Sequence, residues 1–207
     1  MMRISLSETG KRFNRDWIFR NFSYIFEKGN SYAITGANGS GKSTLLQVIC
    51  GSVVASEGKI EYCADGKPIE ADNAFHHISI SAPYLELIEE MTGTEFLQFH
   101  KKFKPLNRSY SVAQILERVG LQKASDKQIR YFSSGMKQRL KLAQAIFSDT
   151  SCIFLDEPCT NLDSEGIAVY QQLTSEFCAS KMFIVSSNDP HEYSFCTHRI
   201  DMMEYKS

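Results

Sequence analysis

This chain of 207 residues predicts an α/β fold. A parallel sheet forms the core, an antiparallel β subdomain lies in front, and a helical subdomain is inserted between the two halves of the core. Three observations lead there. The front third is rich in aromatic and β-branched residues with period-two character, which suits strands. From about 84 to 147 the apolar spacing turns helical. After that, strand and helix patterns alternate, as crossover connections in a parallel sheet require. The expected division is one unit over 1–207, with core and β subdomain at 1–81 and 148–207 and the helical subdomain at 82–147.

Taken in order, "RISLS" alternates and "WIFRNFSYIFEKG" reads as a second strand, with Phe19, Phe22, Tyr24 and Phe26 packing the front sheet. "SYAIT" is a short buried strand that runs into glycines, and "STLLQVIC" is a helix stopped by Gly51. "GKIEYCADGKPI" holds an Asp-Gly pair and predicts a hairpin. "HHISISA" is another strand; "TGTEFLQFHKKF", "SVAQILERVG" and "SSGMKQRLKLAQAIF" are helices. "SCIFLDEP", "KMFIVSSND" and "HRIDMMEY" read as strands, with the helix "SEGIAVYQQLTSEFCAS" between the first two. The basic run "HKKFK" at 100–104 is expected to be a solvated helix end.

Chemistry concentrates in three places. "GANGSGKST", residues 36–44, fits G-x-x-x-x-G-K-[ST] and sits between a predicted strand and a predicted helix. Gly36, Gly39 and Gly41 let backbone N–H groups, with those of Asn38, Ser40 and Thr44, surround phosphate oxygens at a helix N-terminus. Lys42 is expected to reach the β and γ phosphates, and Ser43 to ligate Mg²⁺. The carboxylates follow in "CIFLDEP". Asp156 closes an apolar strand and is the second candidate for the metal; Glu157, one residue on, can polarise an attacking water. A second anion-binding pattern opens the helix at Ser133, Ser134 and Gly135, where serines and a glycine precede the basic residues Lys137, Arg139 and Lys141. In isolation that stretch would be a serine helix cap.

The order "GANGSGKST", "FSSGMKQR", "CIFLDEP", "TNLD" resembles the ATP-binding cassette (ABC) ATPases, the nucleotide-binding subunits of ABC transporters, over nearly the whole chain. The resemblance implies ATP and Mg²⁺ as ligands, a P-loop NTPase core, and hydrolysis of ATP. It also implies a head-to-tail homodimer, in which Ser133, Ser134 and Gly135 of one copy cap the γ-phosphate held by the other. Asn161-Leu162-Asp163 would cross that interface. A separate transmembrane permease subunit would carry the substrate path, with this chain peripheral on the cytoplasmic face of the membrane.

Four positions differ from the family pattern or leave it open. The signature usually reads LSGGQ and here is Phe132-Ser133-Ser134-Gly135-Met136. The family stacks an aromatic on adenine; Phe13 has about that spacing and Trp17 is the second candidate. Pro83 falls where the family has a metal-contacting glutamine, and proline offers no side-chain donor or acceptor. Asn188 replaces the switch histidine. It can donate an amide hydrogen to the γ-phosphate, whereas His191 lies three residues on.

Composition narrows the alternatives. A net charge of −1 provides no bulk attraction to nucleic acid or anionic lipid. No apolar run approaches the length of a membrane span, and "MMRISLSETGKRF" has no signal-peptide core. Cys50, Cys63, Cys152, Cys159, Cys178 and Cys196 lack metal spacing and are expected to be reduced core residues in the cytosol. A soluble ABC-type ATPase of DNA repair or translation is the alternative, but such proteins carry long coiled coils or paired cassettes. A hydrolysis-deficient regulatory cassette is another, motivated by Pro83 and Asn188 and opposed by Glu157. The short stretch after the last predicted strand leans toward compact exporter-type cassettes by resemblance.

Overall fold

A computed structural model describes residues 1–206. β1 (Met2–Phe13), β2 (Asp16–Glu27), β4 (Glu57–Ala64) and β5 (Lys67–Ile69) form an antiparallel sheet in the order β2-β1-β4-β5. β3 (Ser31–Thr35), β6 (Ile78–Ser81), β7 (Cys152–Asp156), β8 (Met182–Ser186) and β9 (His198–Asp201) form a parallel sheet in the order β6-β7-β8-β3-β9. The helices are α1 (Lys42–Ile49), α2 (Gly93–Phe103), α3 (Val112–Arg118), α4 (Ser134–Ile146), α5 (Ser164–Phe177) and the short α6 (Pro190–Tyr193).

The parallel sheet separates two cores. β7 and β8 are buried along their whole length, and their side chains alternate between the faces. Ile153, Leu155, Phe183 and Val185 join Leu97, Ile115, Leu140 and Tyr170 on the helical side. Cys152, Phe154, Met182 and Ile184 join α1 and the front-sheet residues Ile4, Phe19, Phe22 and Phe26 on the other. Each such side chain contributes roughly 1.5–3 kcal/mol on burial, so these two strands are a rigid base for whatever their ends carry.

Local signals explain most boundaries. Asp65 (φ 50) and Gly66 (φ 77) make the two-residue turn of the β4–β5 hairpin. Thr92 and Ser111 start α2 and α3 with full capping boxes, and the Ser133 side chain accepts from Met136 N–H at the start of α4. All six cysteines are free thiols.

Three expectations are corrected. Residues 84–92, where the helical pattern is expected to begin, are not helical; the segment's start is held instead by Lys141 Nζ, which donates to the carbonyls of Pro83 (3.0 Å) and Ala82 (3.4 Å). The last strand stops at Asp201, whose carboxylate accepts from Met203 N–H at 3.0 Å and turns Met202–Tyr205 into a 3-10 helix. The 100–104 run is not simply solvated. His100 Nε2 meets Ser148 Oγ at 2.9 Å, and Lys104 Nζ donates to the Ile78 carbonyl.

Burial of His100, and then the nearby Lys104 charge, push its pKa down to about 4. The folded protein therefore binds fewer protons here than the unfolded chain between about pH 4 and 6.5. The contribution is present above pH 6.5 and is lost as pH falls through 4. Urea denaturation across that range should show a loss of about 2–3 kcal/mol from this group. In His100→Gln that component of the slope should vanish.

Candidate nucleotide-binding site

The glycine loop leaves β3 at the C-terminal edge of the parallel sheet, where open α/β sheets bind ligands. Gly41 adopts φ 98 at the N-cap of α1, and a β-carbon there would stand 2.5 Å from Ile18 Cγ2. Ile18 thus presses on the loop from the front sheet, a contact the sequence pattern did not single out. Lys42 is nearly buried, and its Nζ donates to the carbonyls of Gly36 (2.9 Å) and Ala37 (3.3 Å). The ammonium is thereby folded over the cradle that phosphate oxygens would enter. Buried Ser40 has no hydrogen-bond partner for its hydroxyl inside the loop.

β7 delivers the carboxylates. Ser43 Oγ donates to Asp156 Oδ1 at 3.0 Å, so the two proposed metal donors already face each other. Asp156 is almost fully buried. Burial pushes its pKa up, while the Ser43 hydroxyl and the Lys42 charge pull it back. Two oxygen donors of this kind suit a hard divalent cation. Glu157 is exposed at φ 44, a torsion that is uncommon outside glycine. Its N–H donates to the Ser186 carbonyl at 2.9 Å, which swings the side chain out of the sheet. Ile18, Asn38, Gly39, Gly41, Lys42, Ser43, Thr44 and Glu157 line one cleft of about 360 Å³.

Asn188 enters from the loop after β8. Its Oδ1 accepts from Gly36 N–H at 3.2 Å, and its Nδ2 donates to Asn38 Oδ1 at 3.0 Å. The side chain in the switch position is therefore tied to both sides of the glycine loop. His191 is exposed on α6. Phe13 is half-exposed at the β1–β2 turn, with Lys11 Nζ 4.8 Å from its ring centroid, and is not part of the cleft lining. Trp17 has Arg20 against its ring at 4.2 Å.

The signature residues lie apart from that cleft. Ser133 and Ser134 are exposed at the start of α4. Gly135 has a neighbour in its own chain: a β-carbon there would be 2.9 Å from the Asn161 carbonyl. Arg139, one turn on, reaches Asp163 at 3.3 Å. Asp163 also caps α5 by accepting from Gly166 N–H at 2.8 Å. The 157–163 loop is thus packed onto the start of α4, and Gln138 adds a buried hydrogen bond to the Pro158 carbonyl at 2.7 Å.

A family model described as ABC transporter matches residues 19–160. The chain belongs to the ABC transporter family. It is an ATP-binding subunit of that family and an ATPase. An uncharacterized ABC transporter ATP-binding protein of Bacillus subtilis, YybJ, is 31% identical over 93% of this chain and 88% of its own length. The Nod factor export ATP-binding protein I of Burkholderia pseudomallei is 26% identical over 97% of this chain and 67% of its own. Among solved structures, an ATP-binding cassette captured as a dimer after hydrolysis, with ADP and phosphate, superposes with a TM-score of 0.82. It is 21% identical and the match covers 96% of this chain and 93% of that one, which establishes the common fold. The parallel core, antiparallel sheet and helices expected from the sequence are those of the ABC ATPase fold.

The close approach of Gly135 to Asn161 has a direct consequence. Gly135→Ala should lower thermal stability by about 1–3 kcal/mol, because the added methyl group must displace backbone rather than a side chain. Thermal melting of the ligand-free protein measures this.

Proposed function

We propose that this chain powers a separate transmembrane permease by closing and reopening a head-to-tail homodimer around two ATP molecules. The observation that carries the reading is the division of the anion-binding groups. Lys42, Ser43 and Glu157 line one cleft, with Asp156 bonded to Ser43 behind it, while the exposed N-terminus of α4 lies outside its lining. A second copy would bring Ser133, Ser134 and Gly135 to the γ-phosphate and use each site twice.

In this reading Gly36, Asn38, Gly39, Ser40, Gly41 and Thr44 shape the phosphate cradle, and Lys42 leaves its two carbonyls to meet the β and γ phosphates. Ser43 and Asp156 would hold Mg²⁺, which would supply positive charge to the phosphates. Glu157 orients and polarises the attacking water. Asn188 exchanges its contacts with Gly36 and Asn38 for the γ-phosphate, so loss of that phosphate is felt at the glycine loop. Phe13 stacks on adenine from the hairpin tip.

Conformational work would leave through the helical subdomain at 82–147. Two lysines one turn apart on α4 clip the 82–89 segment at both ends: Lys141 holds the Ala82 and Pro83 carbonyls, and Lys137 pairs with Glu89. The Pro83 carbonyl is thus held by α4. Among the described residues no helix is long and apolar enough to cross a membrane. The path for substrate is accordingly assigned to the partner, with this chain at the cytoplasmic face.

Two experiments test this. Glu157→Gln should bind ATP with little change but hydrolyse it at least about 10²-fold more slowly. Recovered from detergent extracts with ATP and Mg²⁺, it should bring down a polytopic membrane protein. Ribosomes or DNA-bound proteins in its place would overturn the transporter reading. Asn188→Ala should slow turnover about tenfold or more while leaving ATP affinity nearly unchanged, as loss of a transition-state contact requires. Steady-state kinetics and equilibrium nucleotide binding separate the two effects, and unchanged turnover would remove Asn188 from phosphate sensing.

A further inference from the structure

β8 runs beside β7 in parallel register, and Ser186 is the partner of Asp156. Met182 and Ile184 turn into the same core as Cys152 and Phe154, so Ser186 faces the same side of the sheet as Asp156, toward α1 and the glycine loop. Ser186 is 0% exposed, and its hydroxyl has no hydrogen-bond partner. An unpaired hydroxyl in the interior has given up its water and gained nothing in exchange. The four preceding residues of β8, Met182 to Val185, are all apolar, and a fifth would avoid that cost.

The neighbour that can use this hydroxyl is the Asp156 carboxylate. Ser43 occupies one of its oxygens, Oδ1, in the ligand-free protein. Ser43 is also the hydroxyl placed to turn a lone pair toward a cation bound beside the phosphates. A buried carboxylate that binds a cation needs its orientation fixed by a group that does not itself bind the cation. Ser186 is in register to do this from the adjacent strand.

We infer that Ser186 is a positioning residue of the metal subsite, donating its hydroxyl to Asp156 when a hydrated divalent cation is held with the nucleotide. The inference rests on the nucleotide-site reading above. It assigns Ser186 the work of aiming Asp156, distinct from the phosphate contacts of Lys42 and Asn188.

The test uses Mn²⁺ as the probe, followed by electron paramagnetic resonance with a non-hydrolysable ATP analogue. Ser186→Val should raise the Mn²⁺ concentration for half-saturation about tenfold, and Ser186→Ala similarly, because outer-sphere partners of metal ligands carry effects of that size. Binding of the analogue in EDTA should stay close to wild type in both. Ser186→Thr, which keeps the hydroxyl, should restore Mn²⁺ binding. Unchanged Mn²⁺ affinity in the valine and alanine variants would overturn the inference. So would an equal loss of metal-free analogue binding, which would make the role one of packing. A wild-type protein with no nucleotide-dependent Mn²⁺ site would overturn the site reading itself, and the inference with it.

Discussion

Asp156 is a carboxylate that the fold has carried almost out of reach of water, and the surrounding structure is organised by the need to keep it usable. It ends β7, a strand enclosed by β6 and β8 and covered by a core on either face. Burial alone would favour the protonated acid. The hydroxyl of Ser43 and the ammonium of Lys42, both delivered by the start of α1, work against that. Moving β7 by one residue would exchange the faces and send Asp156 into the helical core. Register, core packing and phosphate chemistry are therefore one constraint. The apolar run "CIFL" earns its length by anchoring the acid that follows it.

The same economy appears around α4. Its N-terminus presents Ser133 and Ser134 to solvent, but the helix is held from behind by contacts within the chain. Gly135 accommodates the Asn161 carbonyl, Arg139 reaches Asp163, and Gln138 bonds the Pro158 carbonyl. The loop that follows Glu157 and the helix that carries the signature are thus mechanically joined. Glu192 extends the linkage: its buried carboxylate accepts from Cys159 N–H at 2.6 Å, and its own carbonyl accepts from the Tyr170 hydroxyl at 2.6 Å.

Much of this was legible in the sequence because it is local. The glycine loop, the Asp65-Gly66 turn and the capping serines and threonine each declare themselves within a few residues, through torsion preference or a missing backbone donor. The apolar strand before Asp156 marks the position of that carboxylate for the same reason. Contacts made at a distance were hidden. Nothing near Ile18 signals that it closes on Gly41, and nothing near Gly135 signals that the Asn161 carbonyl lies against it. His100 and Lys104 looked like solvent-facing charges because composition cannot reveal that Ser148 and the Ile78 carbonyl lie beneath them. The irregular course of 82–92 is of the same kind, since the lysine that competes for its carbonyls comes from a helix far along the chain.

The claim that joins these parts is that the signature helix of one copy completes the nucleotide site of another. The structure of Glu157→Gln with ATP and Mg²⁺ tests it most directly. The account predicts a two-fold dimer in which Ser133 and Gly135 of one copy face the γ-phosphate held by Lys42 of the other. A monomer with ATP bound and the start of α4 still exposed would contradict it, as would a signature helix that reaches the nucleotide of its own chain.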